Sequence, residues 1–403
     1  MNQKFNFNNI KNIANILMFV IFLLPASYIP GLASLGGLSM NYLFILYPLI
    51  LILFKNKVAV PHTYVFGAIL FYCFVFIVSV LFTLESSHFF LRKFASFFIF
   101  LSVFSFCFIS IDKNQITAFK ISIVLYSLLF ILPPIGLLLF SEPNNIEANI
   151  KSQFGSQRYG FIYLMAFWIV YLYRPKEIPW NFVLKYIVLG LLLIGLIMTF
   201  SRSSLVSLFV SFTAYSLYEI YHSKNPLFSI IKMFFAFALA CITMFFFIEL
   251  SSFGPRIIDF FDKRFISVIL NLKDKLDLTI DGSIGYRLYM FEKILDFIAI
   301  HPLTGSGYLG VWTLFDELSG SAHSQYFDVL FRVGIFGFIV YIVLIKRVVS
   351  YLLKCDKSLF YGFVGVLFYG FFHETFKLSH GGFLLAFLLA LAFQKKSKSI
   401  MAI

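Results

Sequence analysis

A chain of 403 residues, 60% hydrophobic and only 13% charged, has too little polar surface for a soluble domain and reads as an integral membrane protein. Its net charge of +13 invites a nucleic-acid partner, but the basic residues lie between apolar runs, where they report topology, so no nucleic acid is implied. The four cysteines (Cys73, Cys107, Cys241, Cys355) show no metal or redox spacing, and the first three lie inside apolar runs as packing residues.

A helix needs about 20 apolar residues to cross the hydrocarbon core. Twelve runs approach that length: 13–30, 38–54, 62–83, 89–110, 118–140, 159–173, 181–200, 203–221, 227–248, 326–345, 358–372 and 381–394, of which the sixth, eleventh and twelfth are short. The first, behind Lys4 and Lys11, imitates a signal peptide with "PAS" as its cleavage site, but the parity of the other spans favours keeping it. With the N-terminus in the cytoplasm, cytoplasmic segments hold 18 of the 32 basic residues and the short external segments six. Both termini are then cytoplasmic. Pro133 and Pro134 should bend or end the fifth span near its outer end.

Residues 249–325 form the one large interruption, placed outside the membrane, with ten acids and seven bases. The chain thus divides into a bundle of about nine helices (1–248), the external loop (249–325) and the C-terminal spans (326–403). Within the loop, "YRLYMFEKILDFIAIHP" puts Leu288, Phe291, Leu295 and Ile298 on one helical face and Tyr289, Glu292, Lys293 and Asp296 on the other. Asp281 and Ser283 offer caps and Pro302 a stop, so an amphipathic helix lying on the membrane surface is predicted. The following "GSGYLG" is a literal GxGxxG, but it follows a helix in a chain without a sheet, so it reads as a flexible re-entry loop. No internal repeat is evident, which argues against a transporter built from repeated halves.

The charged residues at the outer ends of the spans require a reason, because arginine near hydrocarbon is costly without water or a partner. Arg202, in "MTFSRSSLVS", is either snorkelling at a tight external turn or turned into an outward cavity to meet an anion. Arg158 opens the sixth span on the same side, and Arg287 opens the amphipathic helix, whose N-terminus adds positive potential. Three such residues on one face suggest a phosphate site. His323, in "SAHSQYF", is either a surface histidine at the head of the tenth span or a group that accepts a proton near neutral pH. Arg332 has Asp328 as an (i, i+4) partner. His373 and Glu374, in "FFHETF", form a second polar group at the same mouth.

Four stretches, in order, resemble the O-antigen ligase and polymerase superfamily, the Wzy/WaaL-like membrane glycosyltransferases. "TFSRSSLVSLF" is similar to its "SR" turn and "GYRLYMFEKILDFIAIHPLTGSGYLG" to its arginine-led helix ending in P-x-x-G-x-G. "AHSQYFDVLFRVGIFGFIVY" is similar to its "AHNxYL" stretch, and "SQRYGF" is a looser match to an earlier arginine. The convincing part covers about residues 195–345, and Ser324 departs from the family's asparagine. The resemblance implies an all-α, GT-C-like membrane fold in the bacterial inner membrane, with its site on the periplasmic face. It implies an inverting transfer from an undecaprenyl-diphosphate-linked glycan, with no metal and no cofactor. Arg202 and Arg287, with Arg158, would bind the diphosphate, and His323 would stand at the reacting centre, transferring a proton or only hydrogen-bonding the diphosphate.

The reading favoured here is a polysaccharide repeat-unit polymerase acting on a lipid-linked acceptor, with a chain-length regulator as a candidate partner. The near alternative is a ligase delivering the glycan to lipid A-core. A lipid-linked-sugar transporter, the alternative of a different class, would carry its ionisable residues near the middle of the spans.

Overall fold

A computed structural model describes residues 7–23, 61–82, 87–140, 160–173, 179–199, 201–223, 225–228, 231, 283–314, 322–376 and 379–394. The predicted span 38–54, the span 227–248 apart from residues 227, 228 and 231, the loop residues 249–282 (with Asp281) and 315–321, and Arg158 lie outside the described residues. The described chain is all-helical, with no strand among the described residues.

Among the described residues the helices longer than four residues are α1 (Phe7–Leu23), α2 (Thr63–Phe82), α3 (Ser87–Ser102), α4 (Lys113–Phe140), α5 (Gly160–Tyr171), α6 (Pro179–Met198), α7 (Arg202–His222), α8 (Ser283–Ile300), α9 (Gln325–Cys355), α10 (Lys357–Tyr369) and α11 (Ser379–Phe393). Among the described residues α2, α4 and α9 are long and apolar enough to cross a membrane, and α5, α6, α10 and α11 are shorter apolar helices. A helix apolar all round belongs inside a bundle. So α5 is buried from Gly160 to Ile169, and α11 from His380 to Phe393. Outward rows of large apolar residues, such as Phe66, Leu70, Phe74, Ile77 and Leu81 on α2, are what a lipid-facing surface requires.

α5 packs against α10, α6 and α4, and α7 packs on α10. Trp168 of α5 donates to Ser211 Oγ of α7 at 2.8 Å and packs against Tyr361 of α10, which ties the three together. Basic side chains gather at one end of this group. Lys120 pairs with Asp356, the N-cap of α10, Lys185 reaches the Tyr173 carbonyl at 2.8 Å, and Lys357 lies 4.4 Å over the Tyr218 ring. Arg202 and the start of α5 lie at the opposite end. α4 remains helical through Pro133 and Pro134 to Phe140, so the prolines do not end it.

Two features differ from expectation. α8 starts at Ser283 and stops two residues before Pro302, as predicted, but its buried face is Met290, Ile294 and Ile298, while Leu288 and Leu295 are exposed. The helix has two apolar faces. One packs on α9 through Phe291 against Phe327 and Phe297 against Phe331; the other, with Leu288 and Leu295, remains outward.

α9 runs well beyond the predicted 326–345 and contains a sharp break at Gly334 (φ 70°, ψ −176°). The break leaves the Phe331 and Arg332 carbonyls without helical partners, and the loop after α8 supplies them. Ser306 N donates to Phe331 O at 2.7 Å, Tyr308 N to Arg332 O at 2.9 Å, and Ile335 N to Pro302 O at 2.8 Å. Far from a flexible re-entry segment, the GxGxxG stretch is a buried plug from Gly305 to Gly310, with Tyr308 packed among Phe76, Phe97 and Phe100. Ile335–Cys355 then continues as a straight helix of about 31 Å, enough to span.

Candidate active site

The predicted residues stand near the starts of three helices. Arg202 opens α7, Arg287 lies in the second turn of α8, and His323 directly precedes Ser324, the N-cap of α9. Three helix N-termini add positive potential to the region that their residues share. His373 and Glu374 lie between α10 and α11, on a connection stitched to the start of α9. Gln325 N donates to Gly370 O at 2.8 Å, Phe376 N to Gln325 Oε1 at 2.7 Å, and Ala322 N to Glu374 Oε1 at 2.6 Å. The last bond holds the residue before His323, whose own φ of 50° is unusual for a side chain other than glycine. Glu374 therefore fixes the backbone that presents the imidazole.

The site is cationic and partly dry. Burial, and next the Arg202 guanidinium, lower the pKa of Arg287, although an arginine stays charged at neutral pH. Among the described residues Arg287 has no ion-pair partner; its guanidinium lies 6.0 Å over the Phe372 ring. His373 Nε2 shares a hydrogen bond of 2.7 Å with Ser203 Oγ, itself 2.7 Å from Ser201 Oγ, and the imidazole stacks on Tyr369 at 4.3 Å. Burial, then Arg287, then His323 push the His373 pKa down to about 3, so this imidazole is neutral at physiological pH. Thus Arg202, Arg287, His323 and His373 form one electrostatic group, with Glu374 behind it.

A histidine held neutral in the fold resists protonation that the unfolded chain accepts. Its contribution to stability is therefore complete above the ordinary value of 6.5 and is lost as pH falls from there toward about 3. The thermal midpoint in detergent should fall across that window, and His373→Gln should flatten the fall. An unchanged acid profile in the variant would show that His373 does not govern it.

Arg332 occupies a different place. Its Nε donates to Asp328 Oδ2 at 2.8 Å, and its Nη1 to Ser96 Oγ at 2.7 Å and Tyr308 O at 2.9 Å. The pair anticipated from the (i, i+4) spacing is present, and it serves the plug. Near it the buried Lys93 reaches Ser79 O at 3.2 Å. Sequence reasoning missed Ser203, Tyr369 and Tyr286 as neighbours of the site. The serine run at the head of α7 was the available sign for the first; nothing local marked the others.

This arrangement can hold a polyanion between two guanidinium groups, with an imidazole beside it, at one end of a helical membrane bundle. The class is therefore an integral membrane protein with a cluster of cationic and imidazole side chains at one end of its bundle. Residues 187–342 match the family model described as O-antigen ligase, which supports the resemblance to the O-antigen ligase and polymerase superfamily. The matched segment contains Arg202, Arg287 and His323; Arg158, His373 and Glu374 fall outside it. No curated protein matches the chain.

Proposed function

We propose that this protein is an inverting, metal-independent glycosyltransferase that moves a glycan from undecaprenyl diphosphate to an acceptor sugar, as a surface-polysaccharide repeat-unit polymerase. The observation that carries the reading is that Arg202 acts on Arg287, and Arg287 and His323 both act on His373, although these residues come from distant parts of the sequence. In the proposed arrangement the site faces the periplasm, where no nucleotide sugar is present, so the donor arrives already activated on a lipid.

Arg202 and Arg287, joined by Arg158, hold the diphosphate, and His323 orients or deprotonates the attacking hydroxyl. As the glycosidic bond breaks, its electron pair stays on the diphosphate. Guanidinium groups already in place take up that charge without reorganising, which is the most effective form of electrostatic catalysis. The second reading, a ligase that delivers the glycan to lipid A-core, is favoured by the description of the matched family and uses the same donor site.

His323→Ala should lower transfer by about 10²–10⁴-fold, the usual worth of a proton-transferring group. The surface-glycan gel of cells carrying it separates the readings. Single repeats capped on the core identify a polymerase, and loss of all attached glycan identifies a ligase. Intact polymer at normal expression would defeat both.

A further inference from the structure

Tyr286 stands one residue before Arg287 on α8 and has no part in the mechanism above. Its ring meets the His323 imidazole edge-to-face, with centroids 5.7 Å apart and planes at 88°. Its hydroxyl oxygen is shut off from solvent and has no hydrogen-bond partner among the described residues. Leaving a buried hydroxyl unpaired is costly, and such groups are few in folded proteins. Tyr341 and Tyr361 also have orphan hydroxyls, but both lie within the apolar helices α9 and α10. Tyr286 differs in its company: the imidazole in contact with its ring, and Arg287 next along the chain. Phenylalanine would fill the same space on α8 without the unpaired group.

We propose that the Tyr286 hydroxyl hydrogen-bonds a diphosphate oxygen of the lipid-linked donor and stabilises that oxygen as the glycosidic bond breaks. The inference rests on the reading of the site as a lipid-diphosphate site. A phenol suits the place because it donates a hydrogen bond without adding charge beside two guanidinium groups that already repel. Its bond to an anionic oxygen is short and about twice as strong as one between neutral partners. In the step itself the acceptor oxygen bonds to the anomeric carbon and its proton passes to His323. The carbon–oxygen bond to phosphate breaks, its electron pair remains on the diphosphate, and Tyr286 keeps its proton throughout. Because the departing oxygen gains charge only as the bond breaks, the contact strengthens in the transition state and acts on kcat. That the hydroxyl is enclosed in the ligand-free site is compatible with this, since catalytic hydrogen bonds often align only in the complex.

The test is Tyr286→Phe, assayed beside the wild type as purified full-length protein in lipid nanodiscs. The probe is a synthetic undecaprenyl-diphosphate-linked repeat unit, used as donor and as acceptor. The expected result is a fall in kcat of about 10- to 100-fold, the worth of a hydrogen bond to a charged group, with KM nearly unchanged. The thermal midpoint should be equal or higher, because the variant removes an unpaired buried group. A kcat within twofold of wild type overturns the proposal, as does a thermal midpoint that falls together with activity. Turnover by wild type combined with an unaffected variant defeats this inference alone; absence of turnover by wild type defeats the donor-site reading as well.

Discussion

Replacing Arg287 with alanine is expected to lower the initial rate of glycan transfer by about 10²–10³-fold, the usual loss when one preorganised group facing a developing charge is removed. Arg287→Lys should recover little of it, because an ammonium group cannot present two parallel donors to a diphosphate. The same substitution should not weaken the fold. Burial and Arg202 both oppose the charge on Arg287, and among the described residues no carboxylate compensates it. Arg287→Gln, which keeps much of the stem over Phe372, should therefore raise the thermal midpoint while abolishing turnover. Such opposition between stability and activity is the ordinary mark of a residue kept for its chemistry. A variant that is both less stable and fully active would assign Arg287 to packing and leave the diphosphate reading without its main support.

Several apolar helices were legible because hydrocarbon selects for length and apolarity, which are local properties of the sequence. Hence α2 at Thr63–Phe82 and α10 at Lys357–Tyr369 fall close to the predicted runs. The pair of Arg332 with Asp328 was legible for a similar reason, since four residues is one turn. The buried face of α8 was not. Leu288 and Leu295 are as apolar as Ile294, and periodicity does not say which apolar face meets protein and which remains outward. The contact of His373 with Ser203 was also hidden, because it joins residues 170 positions apart through the packing of α7 on α10. The motif residues Arg202, Arg287 and His323 were found through chemistry and resemblance. The break in α9 at Gly334 was not read from the sequence, because a glycine inside an apolar run does not by itself show whether the helix bends there.

Gly334→Ala should cost more than about 3 kcal/mol, because two separate penalties meet at one atom. The backbone there has φ 70° and ψ −176°, a region open essentially to glycine alone. An added Cβ would also lie 2.6 Å from Pro302 O and 2.7 Å from Leu303 O. Neither is the end of a movable side chain, so relief requires the plug to withdraw and its bonds to Phe331 and Arg332 carbonyls to break. Gly67→Ala and Gly190→Ala are the matched controls. Nothing lies within 4 Å of the added atom at either site, and both should be neutral or stabilise their helices by up to about 1 kcal/mol. The consequence reaches the active site. Gln325–Val333, the part of α9 before the break, is a rigid arm of about 14 Å with His323 at its far end. A change of angle at Gly334 would swing the imidazole away from Arg287 and Tyr286. Where Gly334→Ala is still folded at low temperature, transfer should therefore be lost out of proportion to the loss of folded protein. Activity that tracks the folded fraction alone would show that the break shapes the bundle without aiming His323.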